Sequence, residues 1–504
     1  MKDSILEHAS SAAGWNFDNS YTQLAAAFFT RQTPTKVSAA SGVLFNQPLA
    51  LTLGLDAAAL AGATGTAIFS GNTLPAGADP IAQAYAGSQF GHFNILGDGR
   101  AILLGEQITP SGMRYDIQLK GAGATSYSRR GDGRAALGPM LREYIMSEAM
   151  HALGIATTRS LAVVSSGEPV YRSSLLPGAI LTRVAASHIR VGTFQLAASQ
   201  LASSRDDAVA VKALADYTLQ RHFPDLISTE NPYLALLEAV AERQAKLLAQ
   251  WMLVGFIHGV MNTDNMSICG ETIDYGPCAF MDSYDPATVF SSIDTQGRYA
   301  FANQPPIAQW NLARFAETLL PLLHPQRTAA VNIAENALQG FATSYEQHWL
   351  SGMRAKLGLL HAQQADRQLV DSLLSCMQKH GLDYINTFRD LAACLTEPAA
   401  AVFAEAICNA PDFSDWYSRW QQRLSNQQEP LAAAIKLMLA STPAVIARNH
   451  QVEAALAAAE AGDFSVTYRL LHALAEPFTD SASLAEYRQP APPSKQRYQT
   501  FCGT

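Results

Sequence analysis

Nowhere in this sequence do about 18 apolar residues follow one another, so no membrane-spanning helix is expected. The stretch MLVGFIHGV, residues 252–260, is too short to span and reads as part of a buried helix. Charge is scarce as well. Only 15% of the residues are Asp, Glu, Lys or Arg, and the net charge is -8. That balance argues against a nucleic-acid partner and requires any nucleotide site to gather its cations locally. The opening residues, MKDSILEHASSAAGW, carry acids and lack the apolar core of a secretory signal, so a cytoplasmic protein is the expectation. The six cysteines are Cys269, Cys278, Cys376, Cys394, Cys408 and Cys502, and no two have the C-x-x-C spacing of a zinc site. Most are expected to be reduced thiols in a reducing compartment.

What the chain has in quantity is apolar side chains, 48% of its 504 residues, enough for large buried cores. Residues 1–75 mix turn residues with short apolar runs such as LALTLGLD and read as an N-terminal extension. Strand patterns follow at AILLGE (101–106) and MRYDIQLK (113–120), the second alternating and ended by GAG. A helix is expected over 138–155, where Leu141, Ile145, Ala149 and Leu153 recur about one turn apart. Strand patterns return at 159–168 and 178–187. Beyond about 205 the chain reads as helical. Residues 233–259 form one long expected helix and 305–323 another. An alanine-rich helical stretch runs from 345 to 470, with breaks expected at 397–400 and 410–415. The proline-rich end, from residue 488, reads as extended. Strands first and helices later suit an α+β fold with a small sheet-bearing lobe and a larger helical one.

Two short stretches set a puzzle: HGVMNTDN at 258–265 and IDYG at 273–276. A protein kinase reads H-R-D-L-x-x-x-N and then D-F-G. His258, Asn265 and Asp274 hold the corresponding positions, but Val260 stands where a kinase keeps its catalytic aspartate. Asn265 and Asp274 offer hard oxygen ligands, which suit Mg²⁺ or Mn²⁺ shared with nucleotide phosphates. Alone, they could equally mark a turn. Val260 cannot accept a proton. Asp264, the nearest carboxylate, is then either the base or a group that orients the loop while metals do the electrostatic work.

Upstream, Lys120 ends the alternating strand, as the phosphate-reaching lysine of kinases does. Glu143 follows within the expected helix, beside its apolar stripe, and Lys120 is the natural partner for it. The blander alternatives are a solvated strand-end lysine and a surface pair of Glu143 with Arg142 or Arg134. The tetrapeptide GDGR occurs at 97–100 and again at 131–134, on either side of the lysine strand. Its glycines allow close backbone approach to an anion, and its arginines can donate paired hydrogen bonds to phosphate. With Arg129, Arg130, Arg183 and Arg190 they make a local positive cluster in an acidic chain.

These motifs closely resemble the SelO/YdiU family of protein adenylyltransferases. The resemblance covers most of the chain: QFGHFNILGDGRAILLGE, RYDIQLKGAGATSYSRRGDGRAAL, REYIMSEAMHALGI, LTRVAASHIRVGTF, HGVMNTDNMSI, TIDYGPCAFMD, GRYAFANQPPIAQWNL and TFCGT. It implies a protein-kinase-like two-lobed fold, here divided into an N-terminal extension (1–75), an N-lobe (76–170), a C-lobe (171–345) and a C-terminal helical region with a tail (346–504). It implies ATP bound in a flipped orientation, with AMP passed to Ser, Thr or Tyr hydroxyls of protein substrates and pyrophosphate leaving. UMP transfer from UTP with Mn²⁺ is attributed to some members. By motif, Gly97, Gly99, Arg100, Lys120, Asp132, Gly133, Arg183, Arg190 and Asp274 contact nucleotide. Asp264 corresponds to the proton acceptor, Asn265 and Asp274 to the metal ligands, and Glu143 to the partner of Lys120. The terminal cysteine lies where some relatives carry selenocysteine. Here it is Cys502; a pairing with Cys278, just after IDYG, would give redox control, and chance placement of the two thiols is the alternative.

Three functions stand: an AMP-transferring enzyme, a phosphoryl-transferring kinase, and a pseudokinase module that holds nucleotide without chemistry. Val260 argues against the second. The survival of the lysine, the glutamate and both metal ligands argues against the third. For the thiols, redox pairing predicts that mild oxidation gives one non-reducing peptide pair linking Cys278 to Cys502 in the mass spectrum. Its absence dismisses the pairing.

Overall fold

The alternation of RYDIQLK is the axis of the architecture in the computed structural model, which describes residues 13–172, 174–199, 208–492, 494 and 498–501. Nine strands form one antiparallel sheet: β1 (Phe29–Arg31), β2 (Ser41–Phe45), β3 (Ile81–Gln89), β4 (His92–Gly97), β5 (Ala101–Ile108), β6 (Arg114–Lys120), β7 (Ala135–Ala136), β8 (Arg159–Tyr171) and β9 (Leu175–Ala185). The order is β1-β3-β5-β6-β9-β8-β2, with β4 on β3 and β7 on β9. Side chains alternate across a strand. Ile117 and Leu119 therefore point into a core under Leu49, Leu53, Leu60, Ile68 and Phe69 of the N-terminal segment. Gln118 and Lys120 point to the opposite face, where both are buried. That segment is part of the sheet as well as its cover, since it supplies β1 and β2. The sheet also runs on to Ala185, so it draws strands from both sides of positions 75 and 170.

Helix α1 (Leu137–Ala152) crosses the Lys120 face. Its Leu141, Ile145 and Ala149 join the main core, as their spacing predicts. Helix α2 (Val191–Ser199) packs on β3. The long helix α3 (Pro232–Val254) ends five residues before the predicted limit. Gly255 adopts φ 72° there, the left-handed cap at which helices commonly stop. A two-strand ribbon follows, β10 (Phe256–Ile257) with β11 (Ala279–Phe280), and it encloses HGVMNTDN and IDYG. Helices α4 (Gln304–Leu323) and α5 (Arg327–Lys356) pack along α3. The break expected at 410–415 is instead a helix start. Pro411 is the first residue of a helix running to Ser425, a position where its missing N–H costs nothing. Among the described residues no helix is long and apolar enough to cross a membrane.

The C-terminal helices brace the segment after IDYG. Arg448 caps α6 (Asn449–Glu460) and is 1% exposed. It binds Asp282 Oδ1 at 2.5 Å and Asp383 Oδ2 at 2.6 Å. Asn449 exchanges two hydrogen bonds with the backbone of Phe280, at 2.8 and 3.3 Å. Removing one partner of a buried pair strands the other charge, at a cost of about 3–5 kcal/mol. Arg448→Met is expected to lower stability by that order in a denaturant titration. A loss under about 1 kcal/mol would show that this brace is dispensable.

Candidate active site

Two cations and two carboxylates close a ring where β6, β9, α1 and the IDYG segment meet. Lys120 Nζ lies 2.7 Å from Glu143 Oε2 and 2.8 Å from Asp274 Oδ1. Arg183 lies opposite Gln118 across the β6–β9 pairing, which puts it on the Lys120 face. It binds Glu143 Oε1 through Nε, and Asp274 Oδ1 through Nη2 at 2.7 Å. Glu143 is 1% exposed, so the surface pairing with Arg142 or Arg134 is not formed; Arg142 binds Glu453 instead. Burial pushes the Glu143 carboxyl up, but Arg183 and Lys120 overcome it and leave the group below its usual range. Asp274 follows the same logic. Burial raises it, while Lys120 and Arg183 bring it well below the ordinary carboxylate range. Its backbone is left-handed at φ 64°, a conformation that costs a non-glycine residue about 1–3 kcal/mol and gathers at functional sites.

The HGVMNTDN loop is held from below by His258. Burial lowers the imidazole pKa, so the ring is neutral. Its Nε2 lies 2.9 Å from the Ile273 carbonyl and its Nδ1 accepts from the Val260 N–H at 3.4 Å, which joins the loop to IDYG. Val260 is buried. Asp264 lies under β3, where a Cβ on Gly87 would stand 2.3 Å from its Oδ1. Only a glycine there leaves room for the carboxylate. Oδ1 is buried without a hydrogen-bond partner, and burial pushes the group up to about 6 against the pull of Arg190.

Every site residue expected from the sequence except Glu143 lines one cavity of about 370 Å³. Gly97 bends at φ 154°, and the Tyr127 ring lies where its Cβ would be, 2.4 Å away. Arg190 is buried between the Tyr85 ring, 4.2 Å from its guanidinium carbon, and Asp98, 3.9 Å away. The second GDGR turns partly outward. Asp132 pairs with Arg172 at 2.9 Å, and Arg134 donates to the carbonyls of Thr35 and Lys36. Arg129 and Arg130 are exposed.

Two oxygens in this cavity suit a hard cation. Asn265 Nδ2 donates to the Val260 carbonyl at 3.0 Å, which leaves Oδ1 as its coordinating atom. Both cations on Asp274 use Oδ1, so Oδ2 carries no hydrogen bond among the described residues. This donor set fits Mg²⁺ or Mn²⁺, which take a few protein oxygens and complete their shell with phosphate and water.

A family model described as "Protein adenylyltransferase SelO" matches residues 12–475. A protein named protein nucleotidyltransferase YdiU from Syntrophotalea carbinolica is 59% identical over 499 residues, 99% of each chain. Proteins of the same name from Bacillus mycoides and Brevibacillus brevis are 58% and 59% identical over 492 residues, covering 97% of this chain and 99% and 98% of theirs. The chain belongs to the protein adenylyltransferase SelO family. Membership makes it an enzyme rather than a nucleotide-holding module.

In this SelO-family chain several cavity residues escaped the motif reading. Asp98, inside the first GDGR, accepts from Gln118 Nε2 at 3.1 Å and from the Gln83 N–H at 3.3 Å. The signal for it was the doubled tetrapeptide, read there only for its glycines and arginine. Tyr85 and Arg172 carried no motif. Beside the cavity the tail passes close to IDYG. Thr500 donates through its N–H to the Phe290 carbonyl at 2.8 Å and through Oγ1 to the Pro277 carbonyl at 2.7 Å. Cys278 is fully buried and burial pushes its thiol up to about 12, while Cys502 lies outside the described residues. Gly87→Ala tests the Asp264 geometry. It is expected to lower turnover by about tenfold or more with the melting temperature little changed. Full turnover would show that Asp264 is not used where it stands.

Proposed function

We propose that this enzyme transfers AMP from ATP to Ser, Thr or Tyr hydroxyls of proteins, on a protein-kinase-like fold and with the triphosphate flipped relative to kinases. Pyrophosphate leaves. UTP as an alternative donor uses the same site. The observation that carries the proposal is the pairing, in one cavity, of a cation ring with a buried carboxylate whose Oδ1 has no partner. A kinase places its base where Val260 stands; here the carboxylate is four residues further on, against the β3–β4 hairpin.

The geometry supports the following roles. Arg100, Lys120, Arg183 and Arg190 supply positive charge to the phosphates, and stabilising a pyrophosphate leaving group as its charge develops is the electrostatic task they suit. Glu143 holds Lys120 and Arg183 in place. Asp264 takes the proton of the incoming hydroxyl, a task matched to a carboxyl raised toward neutrality and ionised at pH 7. Asn265 and Asp274 would hold Mg²⁺ or Mn²⁺, which when bound neutralises phosphate charge.

ATP labelled at the α or the γ phosphate, with Mg²⁺ or Mn²⁺ and a protein lysate, tests this reading. Transfer of the α label is expected, and Asp274→Ala is expected to abolish it. Transfer of the γ label would make the protein a kinase, and no transfer with binding retained would leave only a nucleotide-holding role. An Asp274→Ala protein with full activity would refute the site assignment.

A further inference from the structure

Thr263 is fully buried one residue before Asp264 and does not line the cavity. Its hydroxyl accepts from the Ser88 N–H at 2.6 Å and donates to Gln195 Oε1 at 2.5 Å. Gln195 Nε2 then donates to Ser88 Oγ at 3.0 Å, which closes a ring. The ring satisfies the Ser88 N–H and the Thr263 hydroxyl, and all three residues are at most 8% exposed. The ring joins three elements: β3, α2 and the HGVMNTDN loop.

The neighbours of Thr263 extend the fastening. Asn262 Oδ1 accepts from the Phe90 N–H at 3.0 Å and from the Tyr299 hydroxyl at 2.6 Å. The Asp264 carbonyl accepts from Arg190 Nη1 at 3.1 Å. The β3–β4 hairpin is thus bolted to the loop at Phe90 and at Ser88. Gly87, the next residue along β3, lies against the Asp264 carboxylate. Asp264 Oδ1 itself has no hydrogen bond to hold it. A shift of the hairpin at Ser88 therefore passes directly to that carboxylate.

We propose that Thr263, Ser88 and Gln195 are positioning residues: their ring sets the place of the Asp264 carboxylate and so the rate of transfer, with no part in nucleotide affinity. The proposal rests on reading the Asp264 cavity as the transfer site. Thr263→Val removes the hydroxyl and keeps the shape; Thr263→Ser keeps the hydroxyl. The assay is initial transfer at saturating labelled ATP into a heat-treated bacterial lysate. Calorimetry with a non-hydrolysable ATP analogue reads affinity separately.

Thr263→Val is expected to lower the rate by roughly 10- to 100-fold, the order that misplacing a reacting group by about 1 Å costs. Analogue affinity is expected to stay within about threefold of wild type, and Thr263→Ser to recover the rate to within about threefold, since the hydroxyl bonds return. A wild-type rate in Thr263→Val overturns the proposal, as does a loss of affinity parallel to the loss of rate. Should Thr263→Val not fold, Gln195→Leu breaks the same ring from α2 and is judged by the same two readouts. Failure of the underlying site reading shows in the wild-type protein, which would then move the γ label or none. Failure of the positioning proposal shows only in the ratio of variant to wild type.

Discussion

The ring of Lys120, Glu143, Arg183 and Asp274 is the constraint on which the rest of the site depends. It joins two strands, a helix and the IDYG segment through four hydrogen-bonded charge pairs. Three members are at most 5% exposed, and Asp274, at 34%, is the most open of the four. Charges this deep are tolerated because each has an opposite partner at hydrogen-bonding distance. Removing Glu143 would leave two cations together with one remaining anion. The ring therefore fixes α1 against the sheet and fixes the left-handed Asp274 at the one place where its second oxygen can face a ligand.

The rest of the site is arranged around that fixed corner. The apolar Val260 carries no charge that would compete with the ring. His258 ties the same loop to Ile273, and Arg190 ties the far end of the loop to Asp98. The Asp264 carboxylate is thus placed by its backbone and by Gln89 of β3, with Oδ1 left unpartnered. Burial raises that carboxyl to about 6. The C-terminal helices contribute at one remove, through Arg448 and Asn449 on the segment that follows IDYG.

The local parts of this arrangement were legible in the sequence. The alternation of RYDIQLK, the stripe on α1 and the kinase-like order of lysine, glutamate, asparagine and aspartate each depend on near neighbours. What was not legible depends on register between distant strands. Arg183 joins the ring because β9 pairs with β6 so that Arg183 faces Gln118. Asp132 and Arg134 turn outward because Arg172, 40 and 38 residues away, and the carbonyls at 35 and 36 take them. Ser88, Gln195 and Thr263 looked like ordinary polar residues, and only their meeting in space gives them a role. The helix start at Pro411 was misread because proline breaks a helix interior but suits its first turn.

Charge balance in the cavity bears on what must accompany the nucleotide. Six cations line it: Arg100, Lys120, Arg134, Arg172, Arg183 and Arg190. Four carboxylates line it too, Asp98, Asp132, Asp264 and Asp274, with Glu143 just behind. The cations are thus largely spent on the protein's own acids. A nucleoside triphosphate brings roughly four negative charges, and metal ions bridging its phosphates are the usual means of neutralising them. The small surplus of arginine and lysine falls short of that. The oxygens of Asn265 and Asp274 are where the missing positive charge can be added, so Asp274, which weakens the cavity for bare phosphate, is also what suits it to a metal-bound nucleotide.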